Sequence, residues 1–316
     1  MNTKELGRSS LRVAPLCFGG NVFGWTADEK MSFQLLDALV ESGLNFVDTA
    51  DVYTVWVPGN RGGESETIIG RWLKKTGRRA EMIIATKVGM EMSADRKGLS
   101  KAYILQAAEE SLRRLQTDYI DLYQSHTDDT QTPLEETLEA YAQLMKQGKV
   151  RVIGASNYSA ERLRQALDVS EKTGLPRYES LQPEYNLYNR SQYEATLEPI
   201  CVAKGIGVIT YYSLASGFLT GKYRWASDLS QSPRGERSVK NYLNDRGLRI
   251  LDAVDAVARE YNSTPARVAL AWLMARPSVT APIASATSVE QLKDLVAATK
   301  LGLKESAIAL LSQASA

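Results

Sequence analysis

Short apolar runs alternating with longer helical patterns constrain this 316-residue chain more than any other feature. Eight such runs recur: LCFG (16–19), NFVDT (45–49), MIIATK (82–87), YIDLYQS (119–125), VRVIGAS (150–156), SLQPEY (180–185), GVITYY (207–212) and VTAPIA (279–284). Helical periodicity fills the intervals at 31–43, 65–77, 101–115, 133–148, 159–174 and 192–205, and twice in the last third at 249–262 and 265–277. Leu105, Ala108, Leu112 and Leu115 recur three and four apart, which predicts one buried helix stripe. Gly43, Gly77, Gly148, Gly174 and Gly205 each follow a helical pattern, where a glycine cap ends a helix.

A strand that is apolar along its whole length is buried on both faces, so the strands are expected to form a parallel sheet under helices. Eight strand–helix units close into an α/β fold of the (β/α)8 TIM-barrel type. The competing doubly wound sheet needs GxGxxG after its first strand. GGNVFGW (19–25) offers only a loose Gly19, Gly20, Gly24 spacing before Trp25. An N-terminal β-hairpin is expected over KELGRSSLRVAPL (4–16), and a long polar loop over 222–247 on the C-terminal face. No linker-like stretch divides the chain, so residues 1–316 are read as one domain.

The charge balance narrows the partners. A net charge of +1 gives no bulk attraction to nucleic acid or anionic membrane. Apolar stretches fall short of the roughly 20 residues a membrane helix needs, and the N-terminal segment lacks the apolar core of a secretory signal. Cys17 and Cys201 make no disulfide framework. A cytoplasmic enzyme is the expectation.

In a barrel of this type the chemistry sits where the strands end. The second strand ends at Asp48, with Tyr53 five residues on; the third ends at Lys87, the fourth near His126, the fifth at Ser156 and Asn157. Gln182 lies in the sixth, and Tyr211, Tyr212 and Ser213 close the seventh. Each has a bland alternative: Asp48 as a turn former, Tyr53 as one of 15 tyrosines, His126 as a structural histidine. Lys87 at the end of MIIAT must reach solvent or pair with a carboxylate. Together they share one chemistry. An ammonium beside a phenol favours the phenolate, a carboxylate holds the ammonium, and a neutral imidazole orients a carbonyl oxygen. Such a set delivers a proton to a carbonyl oxygen and needs a hydride from a nicotinamide. His126, the only histidine, is expected to be neutral because of the Lys87 charge. With one histidine and no Cys or His cluster, no metal site is expected, which disfavours a metal-dependent barrel hydrolase.

NFVDTADVY, GGESE, IIATKVG, DLYQSHTDD, GASNY, LQPEYN and YYSLASGFLTGKY, in this order, resemble the aldo-keto reductase superfamily, nearest its bacterial and potassium-channel β-subunit-like branch. The resemblance implies a (β/α)8 barrel binding NADP(H), with NAD(H) as the alternative. It makes Tyr53 the acid/base, Lys87 its pKa modulator, Asp48 the partner of Lys87, and His126 the carbonyl-orienting group. It puts Ser156, Asn157 and Gln182 on the nicotinamide carboxamide and Tyr211 against the ring. Tyr212, Ser213, Leu214, Gly217, Leu219, Gly221 and Lys222 follow the pyrophosphate, and Ser285, Ala286, Thr287, Gln291 and Asp294 the adenosine phosphate.

Two departures stand out. None of Ser285, Thr287 and Gln291 carries the charge that usually grips a 2′-phosphate, so Arg224, Arg234 or Arg237 would have to supply it. YYSLAS also has Ser213 where many relatives have proline. Candidate substrate walls are Val22, Phe23, Trp25, Tyr53, Val55, Trp56, Asp128 and Tyr223, suited to an aromatic or alkyl aldehyde or ketone. The implied partner is that small molecule, with no nucleic acid and no membrane; the motifs specify no oligomeric state. The alternative function is a cofactor-sensing regulatory subunit with slow turnover.

Overall fold

The computed structural model describes residues 3–232, 235–236 and 238–316. Eight parallel strands close into a barrel: β3 (Cys17–Gly19), β4 (Phe46–Asp48), β5 (Ile83–Val88), β6 (Ile120–Ser125), β7 (Val150–Ser156), β8 (Ser180–Gln182), β9 (Gly207–Thr210) and β10 (Val279–Ala284), with β10 pairing β3. These are the eight apolar runs, so the fold is the expected (β/α)8 barrel. The N-terminal hairpin also forms, as β1 (Lys4–Glu5) and β2 (Arg12–Val13). It plugs the N-terminal end of the barrel. Leu6, Leu11 and Val13 pack against the inward residues Phe46, Ile83, Leu122, Val152 and Ile209. The Lys4 ammonium donates to the Val279 carbonyl at 3.0 Å, at the start of β10. With one end plugged, only the C-terminal end is open to a ligand.

The helices are α1 (Glu29–Glu41), α2 (Glu64–Thr76), α3 (Lys101–Leu115), α4 (Leu134–Lys146), α5 (Ala160–Thr173), α6 (Glu198–Lys204), α7 (Asp245–Glu260), α8 (Pro265–Met274), α9 (Val289–Ala298) and α10 (Glu305–Ala314). All five predicted cap glycines are left-handed, with φ from 60° to 76°. In α3 the buried stripe runs through Ile104, Ala108, Leu112 and Leu115, while Leu105 lies at its edge.

Four segments differ from the sequence reading. The pattern at 192–205 splits, because Pro199 lacks an N–H; the turn widens to a π-type bond from Glu198 N to the Tyr193 carbonyl before α6 begins. The run SLQPEY stops as a strand at Gln182, where Pro183 follows. Two short helices were not anticipated. α9 starts on a Ser288 side-chain cap, and α10 packs on α7 outside the barrel ring. Each has ten residues, too few turns for the 3.6-residue period to stand out. Among the described residues no helix is long and apolar enough to cross a membrane, and Cys17 and Cys201 are free and buried.

Gly70 fixes how closely α2 meets the end of α3. A β-carbon there would lie 2.1 Å from the Arg114 carbonyl oxygen and 2.8 Å from the Leu115 α-carbon. Alanine would gain about 1 kcal/mol of helix propensity, but overpacking against backbone costs about 1–3 kcal/mol. Gly70→Ala is therefore expected to be net destabilising, read as a lower urea midpoint at an unchanged m-value.

Candidate active site

The open end of the barrel gathers one cluster of buried polar groups. Asp48 ends β4, Lys87 lies one residue before the end of β5, and both side chains are essentially inaccessible (1% and 0% exposed). The Lys87 ammonium donates to Asp48 Oδ2 at 2.6 Å, to the Thr49 carbonyl at 3.0 Å and to the Tyr53 hydroxyl at 2.8 Å. Tyr53 donates its hydroxyl hydrogen to Asp48 Oδ2 at 3.1 Å. A buried charge pair is tolerated only when its remaining hydrogen-bonding capacity is filled, and here three partners fill the ammonium.

Tyr53 is held by the turn that leaves β4. Thr49 N donates to the Ala85 carbonyl at 2.8 Å, and Asp51 N to the Lys87 carbonyl at 3.3 Å. The GGESE segment at the start of α2 fastens the turn from the other side. Thr54 Oγ1 donates to Glu64 at 2.8 Å, and Thr49 Oγ1 to Ser65 Oγ at 2.8 Å. Ser65 Oγ in turn donates to the Gly20 carbonyl at 2.8 Å. Fully buried Glu66 accepts from Thr86 and from Arg114, both at 2.6 Å. Glu64 and Ser65 of this motif thus fasten the turn that carries Tyr53, and Glu66 ties the start of α2 to β5 and α3.

His126 follows β6 and donates its backbone N–H to the Val88 carbonyl at 2.8 Å. Its ring meets Tyr53 edge-on at 6.0 Å between centroids. Burial, and secondly the Lys87 charge, hold its pKa well below the ordinary value. Both act toward the neutral imidazole expected from the sequence, with burial as the larger cause.

For Tyr53 the direction differs from the expectation. Burial, then the Asp48 charge and the hydrogen bond to it, push the phenol well above its ordinary value. The Lys87 contact does not reverse this, because a phenolate would face the Asp48 carboxylate. The resting phenol is protonated, the state a proton donor needs.

Two glutamines close the cluster. Asp48 Oδ1 accepts from Gln182 Nε2 at 2.9 Å and from Gln124 Nε2 at 3.2 Å. Gln182 also donates to Gln124 Oε1 at 3.2 Å. Sequence reasoning assigned Gln182 to a nicotinamide and overlooked Gln124. The signal was present: with a strand period of two, Leu122, Gln124 and His126 share the inward face, and an amide inside an apolar run is anomalous.

The remaining candidates fall in three groups. At the rim, Asn157 donates to the His126 carbonyl at 2.9 Å, Tyr211 donates to Asn157 Oδ1 at 2.8 Å, and Ser156 Oγ donates to the Gln182 carbonyl at 2.9 Å. After β9 the chain turns sharply. Tyr212, Ala215, Ser216, Gly217 and Gly221 all have positive φ, from 47° to 99°. Such left-handed positions are strained for Ala and Ser and cluster at functional sites. Ser213 is buried, its hydroxyl bonded to Thr210; Leu219 is buried, Leu214 partly so, and Lys222 is exposed. On the far side, Ser285 Oγ donates to Asn21 at 2.7 Å, Thr287 N donates to Gln291 at 2.9 Å, and Ala286 is buried. Asp294 is paired with Arg267 at 2.6 Å and Arg224 with Asp255 at 2.5 Å. Arg234 and Arg237 lie outside the described residues.

Of the wall residues, Trp25 and Trp56 meet edge-on at 5.7 Å, and Trp56 meets Tyr53 at 6.2 Å. Phe23 and Tyr223 are fully buried, Phe23 stacked on Phe18 at 5.4 Å, and Val22 is buried too. Asp128 is ion-paired with Arg162 at 2.8 Å.

Comparison with known proteins shows what the chain as a whole is similar to. The model of the aldo/keto reductase family matches residues 15–316. The chain belongs to the aldo/keto reductase family. Among its relatives, the "uncharacterized oxidoreductase YrpG" of Bacillus subtilis (strain 168) is 37% identical, covering 99% of this chain and 95% of that protein. A "probable voltage-gated potassium channel subunit beta" of Oryza sativa subsp. japonica is 35% identical over 92% of this chain and 89% of that one. "Protein tas" of Escherichia coli (strain K12) is 33% identical over 98% and 96%. Membership implies NAD(P)-dependent oxidoreductase activity on small-molecule carbonyl substrates.

One buried group in this aldo/keto reductase was not anticipated. Asp51, between Asp48 and Tyr53, is 1% exposed, and neither carboxylate oxygen has a hydrogen-bond partner. Burial, and secondly Glu66, push its pKa up to about 8. The folded protein therefore keeps a proton that the unfolded chain loses near its ordinary pKa of about 4. Stability conferred by that proton is full below about pH 4 and is lost as pH rises to about 8. Asparagine carries no such proton. Asp51→Asn is expected to gain on the native protein steadily between pH 5 and 8 in urea unfolding; a constant difference across that range would refute the assignment.

Proposed function

We propose that the chain reduces aldehyde or ketone carbonyls to alcohols with NADP(H), Tyr53 giving up the proton, within a single domain spanning 1–316. The single observation that carries this reading is the placing of the Tyr53 hydroxyl 2.8 Å from the Lys87 ammonium and 3.1 Å from Asp48. A bound reduced nicotinamide supplies the hydride. The residues of the chain do the rest. The neutral His126 orients the carbonyl oxygen toward Tyr53. As negative charge develops on that oxygen the phenol releases its proton, and the phenolate left behind is stabilised by the adjacent ammonium. Asp48 keeps that ammonium in place. Trp25 and Trp56 offer an apolar wall to the organic part of the substrate, with Phe23 behind them and Asp128 at the loop edge.

The rim fits a dinucleotide. The left-handed turn around Ser216 and Gly217 would hold the diphosphate, with the small residues there leaving the backbone open to it. For the adenosine end, Ser285, Thr287 and Gln291 offer polar side chains beside the buried Ala286, with Asp294 held by Arg267 and Thr264; among the described residues the candidate positive charges are Lys222, Arg224 and Arg267. Both arginines already hold a carboxylate, Asp255 and Asp294. Among the described residues, gripping a 2′-phosphate with an arginine would therefore mean sharing a guanidinium, which narrows the advantage of NADP(H) over NAD(H).

The similarity to a probable potassium channel β subunit of rice favours, as a second reading, a regulatory subunit, which we take as cofactor-sensing with slow turnover. One assay separates the two. Purified protein is given NADPH or NADH with a panel of aliphatic and aromatic aldehydes, ketones and sugars. The reductase reading expects turnover that chelator leaves intact, and a loss of about 10²–10⁴-fold in kcat for Tyr53→Phe with cofactor affinity retained. Full activity in Tyr53→Phe would remove Tyr53 as the donor. Cofactor binding without turnover on the whole panel would favour the regulatory subunit.

A further inference from the structure

We propose that Tyr212 is a specificity-determining residue, its ring standing across the barrel mouth from Tyr53 and favouring substrates that carry their carbonyl on a flat ring. The inference rests on the carbonyl-reductase reading above and deepens it.

Tyr211 and Tyr212 follow directly on β9. Neighbouring side chains on an extended chain point to opposite faces. Tyr212 breaks that alternation, because its φ of 51° is left-handed. The two rings come together edge-on instead, with centroids 5.2 Å apart and planes at 76°. A bulky residue keeps such a conformation only where its surroundings impose it. Two donors do so here, Asn186 Nδ2 at 3.0 Å and Ala215 N at 2.6 Å, both on the Tyr212 carbonyl. The strained backbone does not bury the ring. Tyr185 and Tyr223, which pack in the core, are fully buried, whereas Tyr212 stays half exposed (50%). Strain that holds a large ring at an open rim serves ligand contact better than packing.

The neighbours of the pair show what it faces. Tyr211 donates to Asn157 Oδ1 at 2.8 Å, and Asn157 donates to the His126 carbonyl at 2.9 Å, so the pair is fastened to the rim beside His126. In the ring of eight strands β9 stands four places from β5, directly across the barrel from the strand that carries Lys87. Burial and Asp48 act most strongly in raising the Tyr53 phenol; Tyr212 adds to them through space, so the two hydroxyls lie within electrostatic reach of each other. A carbonyl bonded to Tyr53 then has Trp56 on one flank, 6.2 Å from the Tyr53 ring, and Tyr212 on the other. An aromatic ring between these flanks meets edges and faces that a short alkyl chain engages less well. Residue 212 can still pass its backbone along a diphosphate; its ring serves the substrate.

The test measures kcat and KM for benzaldehyde and for butanal with NADPH in the native protein, Tyr212→Phe, Tyr212→Ala and Tyr212→Gly, and titrates NADPH binding to each by protein fluorescence. The ratio of kcat/KM for benzaldehyde to that for butanal is expected to fall about fivefold or more in the alanine and glycine variants, through a higher KM for benzaldehyde. Tyr212→Phe keeps the ring and is expected to hold the ratio within about twofold of native. Glycine adopts a left-handed φ without strain, so equal losses in the alanine and glycine variants assign the effect to the ring and not to a collapsed turn. An unchanged ratio in both overturns the inference. Weaker NADPH binding with the same loss for both aldehydes gives the ring to the dinucleotide, and overturns the inference while leaving the reductase reading standing. No turnover by the native protein on the wider panel of aldehydes, ketones and sugars overturns both.

Discussion

The buried ion pair between Lys87 and Asp48 is the interaction on which the rest of this site depends. Removing two charges from water is costly, and breaking such a pair by deleting one partner costs roughly 3–5 kcal/mol. The barrel meets that cost by surrounding the pair with hydrogen bonds. Thr49 and Tyr53 complete the ammonium, while Gln124 and Gln182 complete the carboxylate. Four strand ends, β4, β5, β6 and β8, contribute to one network. Each strand end is therefore positioned by the charge it helps to satisfy.

A second layer holds the turn that carries Tyr53. Glu64, Ser65 and Glu66 at the start of α2 reach the turn, β5 and α3 at once. The fully buried Glu66 pairs with Arg114 near the end of α3, beside the close approach made possible by Gly70. Helix packing on the outside of the barrel and the geometry of the proton donor inside it are thereby linked. The same turn contains Asp51, where burial and Glu66 outweigh the opposing charges of Arg114 and Arg96, so stability at high pH is given up within the segment that carries Tyr53.

The electrostatics also show why residue types alone predict a site's members better than their states. Lysine beside tyrosine suggests a lowered phenol pKa. Inside this barrel the phenol is buried and faces a carboxylate, and the net direction is upward. The reversal is compatible with the donor role proposed for Tyr53, since a proton donor has to hold its proton at rest. The histidine state agrees with expectation, although burial contributes more than the neighbouring charge.

Much of the architecture was legible in sequence because periodicity is a local property. Eight continuously apolar runs can only be strands covered on both sides, and the glycines after the helical patterns mark where they stop. The residue order Asp48, Tyr53, Lys87, His126 likewise places a proton-transfer set at successive strand ends. Other features depended on the closed barrel. Gln124 appears in sequence as one amide in an apolar run; strand register across three neighbours puts it against Asp48. Phe23 and Trp25 lie two residues apart and look alike as wall candidates, yet one fills the core and the other meets Trp56. Asp51 resembles any loop aspartate until burial removes its partners. The sequence by itself determined the fold and the chemical types gathered at its rim, because both follow from hydrophobic period and position along a strand. Protonation states, shared hydrogen bonds and the division between wall and core were decided only by tertiary structure, because each depends on distances between residues far apart in the chain and on the water that closure excludes.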